Sequence, residues 1–245
     1  MRIEVLAGSA DDCVAATRCG ADRVELCGSL GSGGLTPTPG TVRIGRMLSG
    51  IPVMAMLRPR PAGFAYSELE LQTMEEDGRS LIGAGADGLV CGILCEDGRV
   101  DSGRCRRLMA AVPDCHEWVF HRAFDLVPDP FAALAELIKL GFRRVLSKGQ
   151  ANSFEEGERL LLALRECAAG RIEILVPGVR PHNVRRIVRE DGFSDIHIGR
   201  FVRRTDTSNS ARPGIFFGAA SKGSEDGYDV LDEDYVRQIR ELAET

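Results

Sequence analysis

Short apolar runs rich in Val, Ile, Leu and Met recur along the chain. Each is followed by a longer stretch in which apolar residues return every three or four positions. Strands place side chains alternately on two faces and helices repeat every 3.6 residues, so this succession predicts strand–helix units. The predicted strands are Ile3–Leu6, Arg23–Cys27, Val53–Arg58, Gly88–Gly92, Trp118–Arg122, Arg144–Lys148, Ile172–Val176 and Asp195–Ile198. Helical patterns cover Asp11–Cys19, Thr41–Leu48, Glu68–Ile82, Arg104–Ala111, Phe131–Leu140, Phe154–Cys167, His182–Glu190 and Asp234–Ala243. Ser67 with Glu70, and Ser153 with Glu156, have the spacing of capping boxes. Leu140–Phe142 and Ala84–Gly88 carry glycine where a helix ends and the next strand begins.

Eight such units in 245 residues is the count of a single-domain (β/α)8 barrel of the TIM type. An open doubly wound sheet is the structural alternative, but its GxGxxG turn after the first strand is absent. The glycines of Gly28–Gly34 follow strand two and open no helix, so they read as a long βα loop ahead of a phosphate loop. Residues Gly199–Asp229 break the rhythm: they are rich in Ser, Gly, Asp and Arg, with an apolar knot at Ile215–Phe217. The expectation is a long mobile loop over the C-terminal face of the barrel, where active sites of this architecture lie.

Composition removes several classes of function. Hydrophobic residues are 44% and charged residues 27%, ordinary for a globular chain. The net charge of −5 argues against a broad nucleic-acid surface. No stretch approaches the ~20 apolar residues of a membrane helix, and the N-terminus lacks the pattern of a secretory signal. The eight cysteines are scattered without a CxxC pair, which reads as reduced thiols in a cytoplasmic protein.

The informative positions are polar residues in phase with the barrel interior. Glu4 shares a face with Arg2 and Leu6; Arg23, Glu25 and Cys27 share another; Met54, Met56 and Arg58 a third. His121 is in phase with Val119, His197 lies in strand eight, and Asp125 follows strand five. Interior charge is costly unless paired, so Glu4 and Glu25 facing the Arg58 guanidinium form a plausible set. One reading is a small polar pocket in which Arg58 holds an anion or carbonyl oxygen and a carboxylate works with His121 to move protons. The other is a buried ion-pair network with no chemistry, and for Arg122 and Asp125 a salt-linked turn. His116 and His182 read as surface residues. Cys27, Met54 and Met56 form a soft donor set of the kind Cu(I) selects, although all three also suit plain core packing.

The segments Gly20–Cys27 (GADRVELC), Gly33–Thr38 (GGLTPT), Arg58–Arg60, Phe120–Asp125 (FHRAFD) and Arg144–Gln150 (RVLSKGQ) resemble the CutC family, linked to copper homeostasis. The resemblance implies a cytoplasmic (β/α)8 barrel that forms a homodimer or higher oligomer and handles Cu(I). It also implies a copper ligand pair, one cysteine on strand one and one at the end of strand two. Here the first position is Leu6 and only Cys27 remains, so a two-thiolate site cannot form within the chain. Lys148 stands where the family has a small residue, and Ile198-Gly199-Arg200 follow His197 in place of small polar residues. Glu4, Glu25, Arg58, His121, Arg122, Asp125 and His197 all match. Two functions are therefore expected to compete: copper handling through Cys27, or an isomerase, aldolase or lyase acting on a small polar or anionic metabolite.

Overall fold

The computed structural model describes residues 1–215 and 226–245. Eight parallel strands close into a barrel in sequence order: β1 (Arg2–Ala7), β2 (Arg23–Leu26), β3 (Val53–Met56), β4 (Gly88–Cys91), β5 (Trp118–Phe120), β6 (Arg144–Leu146), β7 (Glu173–Val176) and β8 (Asp195–Ile198). Closure is made by β1 pairing with β8, with Glu4 opposite His197. On the other side of β1, Glu4 is opposite Arg23. These two registers place three interior polar residues in one layer.

Helices α1 (Ala10–Arg18), α2 (Pro39–Ser49), α3 (Glu68–Gly83), α4 (Ser102–Ala111), α5 (Pro130–Leu140), α6 (Phe154–Ala168) and α7 (Glu233–Glu244) pack outside the barrel. Their ends follow local chemistry. Ser67 and Glu70 make both halves of the capping box of α3. Ser153 caps α6 by accepting from the Glu156 amide, but Glu156 reaches back to the Asn152 amide instead of completing a box. Gly141 ends α5 in the left-handed region at φ 87°.

Two expected elements differ. His182–Glu190 does not form a full α-helix; Arg186–Glu190 is a single π-helical turn, closed by the Asp191 amide donating to the Arg186 carbonyl at 2.9 Å. The long loop after β8 is not structureless at its ends. Phe201–Thr205 (β9) and Gly227–Leu231 (β10) pair antiparallel as a hairpin. The Leu231 amide donates to Asp12 Oδ1 at 2.8 Å, tying this hairpin to the start of α1. Ile215 is exposed, and the rest of the apolar knot, Phe216 and Phe217, lies outside the described residues.

Alternation along the strands sorts the core into two. Residues such as Ile3, Val5, Leu26, Ala55, Phe120 and Ile196 point outward and are buried beneath the helices. Inside, Cys27, Met54, Met56, Val90 and Val119 form a separate apolar cluster, with Leu6 and Leu30 packed against it. Cys27 and Met56 of this cluster share the lining of the barrel mouth with Glu25 and His197.

Candidate functional site

The mouth holds a cavity of about 560 Å³. Glu25, Cys27, Arg58, His121 and His197 line it, with apolar walls that include Leu6, Phe64, Leu146 and Phe201. Phe201 and Asp229 bring the β9–β10 hairpin to its edge. The position, at the C-terminal ends of the strands, is where barrels of this class build ligand sites.

Five ionisable groups form the floor. Arg23 donates from Nε to Glu4 Oε2 at 2.6 Å and from Nη1 to Asp195 Oδ1 at 3.0 Å. Glu4 Oε1 lies 2.8 Å from His197 Nδ1, and the far nitrogen of that ring, Nε2, lies 3.9 Å from Glu25 Oε2. His197 is thus held between two carboxylates. Both Glu4 and Glu25 are almost completely buried, at 1% and 3% exposure.

Their environments drive them apart. Burial pushes the Glu4 carboxyl up, but the Arg23 guanidinium and His197 outweigh it and bring it down to about 2. Glu25 has no guanidinium hydrogen bond; burial, with the Glu4 charge adding to it, raises it to about 7. Burial opposes protonation of His197, yet its hydrogen bond to Glu4 and the charge of Glu25 raise its basicity above the ordinary value. One carboxylate is locked ionised and the other is poised near neutrality. That division is how a fold runs acid and base chemistry with two identical side chains.

His121 faces the cavity in a different state. Its Nδ1 accepts from the Ala123 amide at 3.1 Å, so the ring proton resides on Nε2, a buried atom with no protein partner. Burial, with the nearby Arg58 charge, lowers its pKa to about 3. The ring therefore remains neutral and offers an N–H. Phe64 packs on it with centroids 4.8 Å apart. On the opposite side only a glycine fits: a Cβ on Gly92 would fall 2.3 Å from His121 Cε1.

Arg58 does not join Glu4 and Glu25, as its phase had suggested; Arg23 takes the place beside Glu4. Arg58 Nη1 donates to the carbonyls of Gly33 at 3.0 Å and Gly34 at 3.1 Å, and Nη2 to that of Ala62 at 2.9 Å. It braces the loops after β2 and β3, holding Ala62 at φ 72°. The glycines of the first loop are required there, since Gly33 and Gly34 are left-handed and a Cβ on Gly34 would meet Cys27 Sγ at 3.1 Å. Asp125 is similarly engaged. It accepts from Ser147 Oγ at 2.6 Å, from the Lys148 and Gln150 amides, and from Arg122 Nε at 2.8 Å. This is the salt-linked turn, and it fixes the loop after β5 to the end of β6.

Sequence phase pointed to Glu4, Glu25, His121 and His197, and the structure brings all four to one end of the barrel interior. Arg23 and Asp195 were missed as functional residues. Their signal was present, because Arg23 is two residues before Glu25 and Asp195 two before His197. Cys27 is buried in the Met54–Met56 cluster, and burial with the Glu25 charge raises its thiol well above the ordinary range. Among the described residues no group of three His, Cys, Asp or Glu side chains is arranged to hold a metal ion. No helix among them is long and apolar enough to cross a membrane.

Fold and site together define a TIM-type barrel with a buried polar pocket at the strand C-termini. The CutC family profile matches residues 1–201. A CutC family protein of Treponema denticola is 44% identical over 240 residues, covering 98% of this chain and 97% of that protein. The human copper homeostasis protein cutC homolog is 39% identical over 242 residues, covering 98% and 88%. The crystal structure of the putative copper homeostasis protein CutC from Streptococcus agalactiae superposes with a TM-score of 0.76 at 35% identity, over 81% of this chain and 98% of that one. The chain belongs to the CutC family.

Proposed function

We propose that this chain shares the copper-homeostasis role for which its human relative is named, and that its barrel works there as an acid–base pocket for a small polar or anionic molecule. The carrying observation is the line Glu4–His197–Glu25, ending at a carboxyl poised near neutral pH on the wall of a 560 Å³ cavity. Arg58 and Arg122 also line that cavity and favour an anionic group on the ligand. The residues fit a polar organic ligand better than a resident soft metal. One buried thiol that resists ionisation and two thioethers supply one thiolate at most, and Leu6 occupies the place of the second.

Binding of glycolate and phosphoglycolate, followed by NMR and calorimetry, tests this reading. Wild-type protein is expected to bind at least one of them with an affinity that changes through about pH 7. His121→Phe should lose binding and Cys27→Ser should retain it. No binding by wild type, or loss confined to Cys27→Ser, contradicts it.

The packing of Cys27 against Met54 and Met56 supports a second reading, direct Cu(I) binding. An anaerobic Cu(I) competition titration of wild type beside Cys27→Ser decides it. Tight stoichiometric binding lost in the variant would establish copper as cargo; weak or unchanged binding would exclude it. The resemblance further supports a cytoplasmic homodimer or larger homo-oligomer, which sedimentation of the purified chain would reveal.

A further inference from the structure

Three residues that line the cavity each carry a buried polar atom with no protein partner: Glu25 Oε1, His121 Nε2 and Arg58 Nε. Leaving such an atom unsatisfied costs roughly 1–3 kcal/mol, so their presence in one cavity marks groups kept for a ligand. They comprise an acceptor that can take a proton, a neutral donor and a cationic donor.

We propose that the pocket takes a small ketol, a compound with a hydroxyl next to a carbonyl, and that Glu25 removes the hydrogen from the intervening carbon while His121 Nε2–H holds the carbonyl oxygen. This rests on the acid–base reading above and names the substrate class and step it performs.

The pairing follows from the geometry of each group. His121 caps the short helical turn Arg122–Leu126, where the Ala123 N–H occupies its Nδ1. Its remaining N–H suits an oxygen that becomes negative during reaction, and a neutral imidazole holds that oxygen without surrendering a full proton to it. Glu25 presents one oxygen toward His197 and leaves the other free. Leu6, Phe64 and Phe201 give the same cavity apolar walls.

The step balances without an added reagent. The C–H bond breaks, its electron pair forms the carbon–carbon double bond of the enolate, and the carbonyl π pair moves to oxygen against His121. Glu25 carries the proton as a carboxylic acid. Returning it to the neighbouring carbon, with one proton shuttled between the two oxygens, gives the isomeric ketol or aldose; returning it to the same carbon regenerates or epimerises the substrate. Glu4, Arg23 and Asp195 are positioning residues that hold His197 in place.

Deuterium wash-in tests the proposal. Hydroxyacetone and dihydroxyacetone phosphate are incubated in D2O with wild-type protein, and loss of the C–H signal is followed by proton NMR. Wild type is expected to accelerate exchange at least tenfold over buffer for one of them. Glu25→Gln should reduce that rate roughly 100-fold or more, His121→Phe should reduce it to a similar extent, and His121→Gln should restore part of it. A wild-type rate no faster than buffer with both ketols overturns the proposal, as does full activity in Glu25→Gln. A carboxyl titration of the same wild-type sample separates the two levels. If Glu25 titrates near 7 without wash-in, the acid–base pocket stands and ketol chemistry falls; if it titrates near 4.5, both fall.

Discussion

Glu4 on β1 and His197 on β8 meet across the seam that closes the barrel, with Oε1 2.8 Å from Nδ1. The contact serves structure and chemistry together. It neutralises part of a buried charged layer, and it turns His197 so that its other nitrogen faces Glu25.

Glu4→Gln removes the carboxylate from beneath both Arg23 and His197. Breaking one member of a buried ionic set leaves an uncompensated charge, and the expected loss is about 3–5 kcal/mol. Urea unfolding at pH 7 measures it. A loss under 1 kcal/mol would mean that Arg23 is satisfied by Asp195 alone.

Glu25 has a distinct pH signature. Its folded pKa, about 7, lies above the ordinary 4.5, so folding favours the protonated form. The stability it contributes is complete below about pH 4.5 and is lost as pH rises through 7. Glu25→Gln stays neutral throughout and escapes that loss. Its stability relative to wild type should therefore rise by a few kcal/mol between pH 5 and 8, read from thermal melts at both. His121, with a folded pKa near 3, acts in the opposite sense, since its contribution is lost as pH falls below 6.5. Comparing variant with wild type at each pH cancels that term.

Arg58→Ala should leave the fold intact and loosen the loops after β2 and β3. The carbonyls of Gly33, Gly34 and Ala62 lose their donor, at a cost of about 1–3 kcal/mol. Amide exchange of Gly33, Gly34 and Leu35 should quicken while that of the β1 and β8 amides is unchanged. Unaltered loop exchange would show that Arg58 does not brace these segments.

Gly92→Ala tests the seating of His121. The new methyl would overlap the imidazole, and the ring must move. Overpacking of this kind costs about 1–3 kcal/mol. The His121 ring should lose its Ala123 hydrogen bond and titrate closer to 6.5 by NMR. A ring that still resists protonation would show that the strand bends instead.

Much of this was legible because a barrel strand converts phase into location. Glu4, Glu25 and His197 are interior because they alternate with Val5, Val24 and Ile196, which face the helices. Phase does not say which of several interior cations meets which carboxylate. Arg23 won that pairing over Arg58 because register sets it directly opposite Glu4, whereas Arg58 lies past the end of β3 among free loop carbonyls. The hairpin after β8 was hidden for a similar reason. Arg203, Arg204, Tyr228 and Asp229 stay exposed, so neither strand carries the apolar alternation that signals a buried face.

The central claim is that two glutamates in one small site titrate far apart, Glu4 below and Glu25 above the ordinary value. A carbon-13 NMR titration of the glutamate side-chain carboxyls, assigned through Glu4→Gln and Glu25→Gln, measures this directly. The account predicts one buried carboxyl titrating near 7, assigned to Glu25, and a second, Glu4, still ionised at pH 4. Two ordinary titrations near 4.5 would contradict it and leave the cluster a scaffold for the barrel.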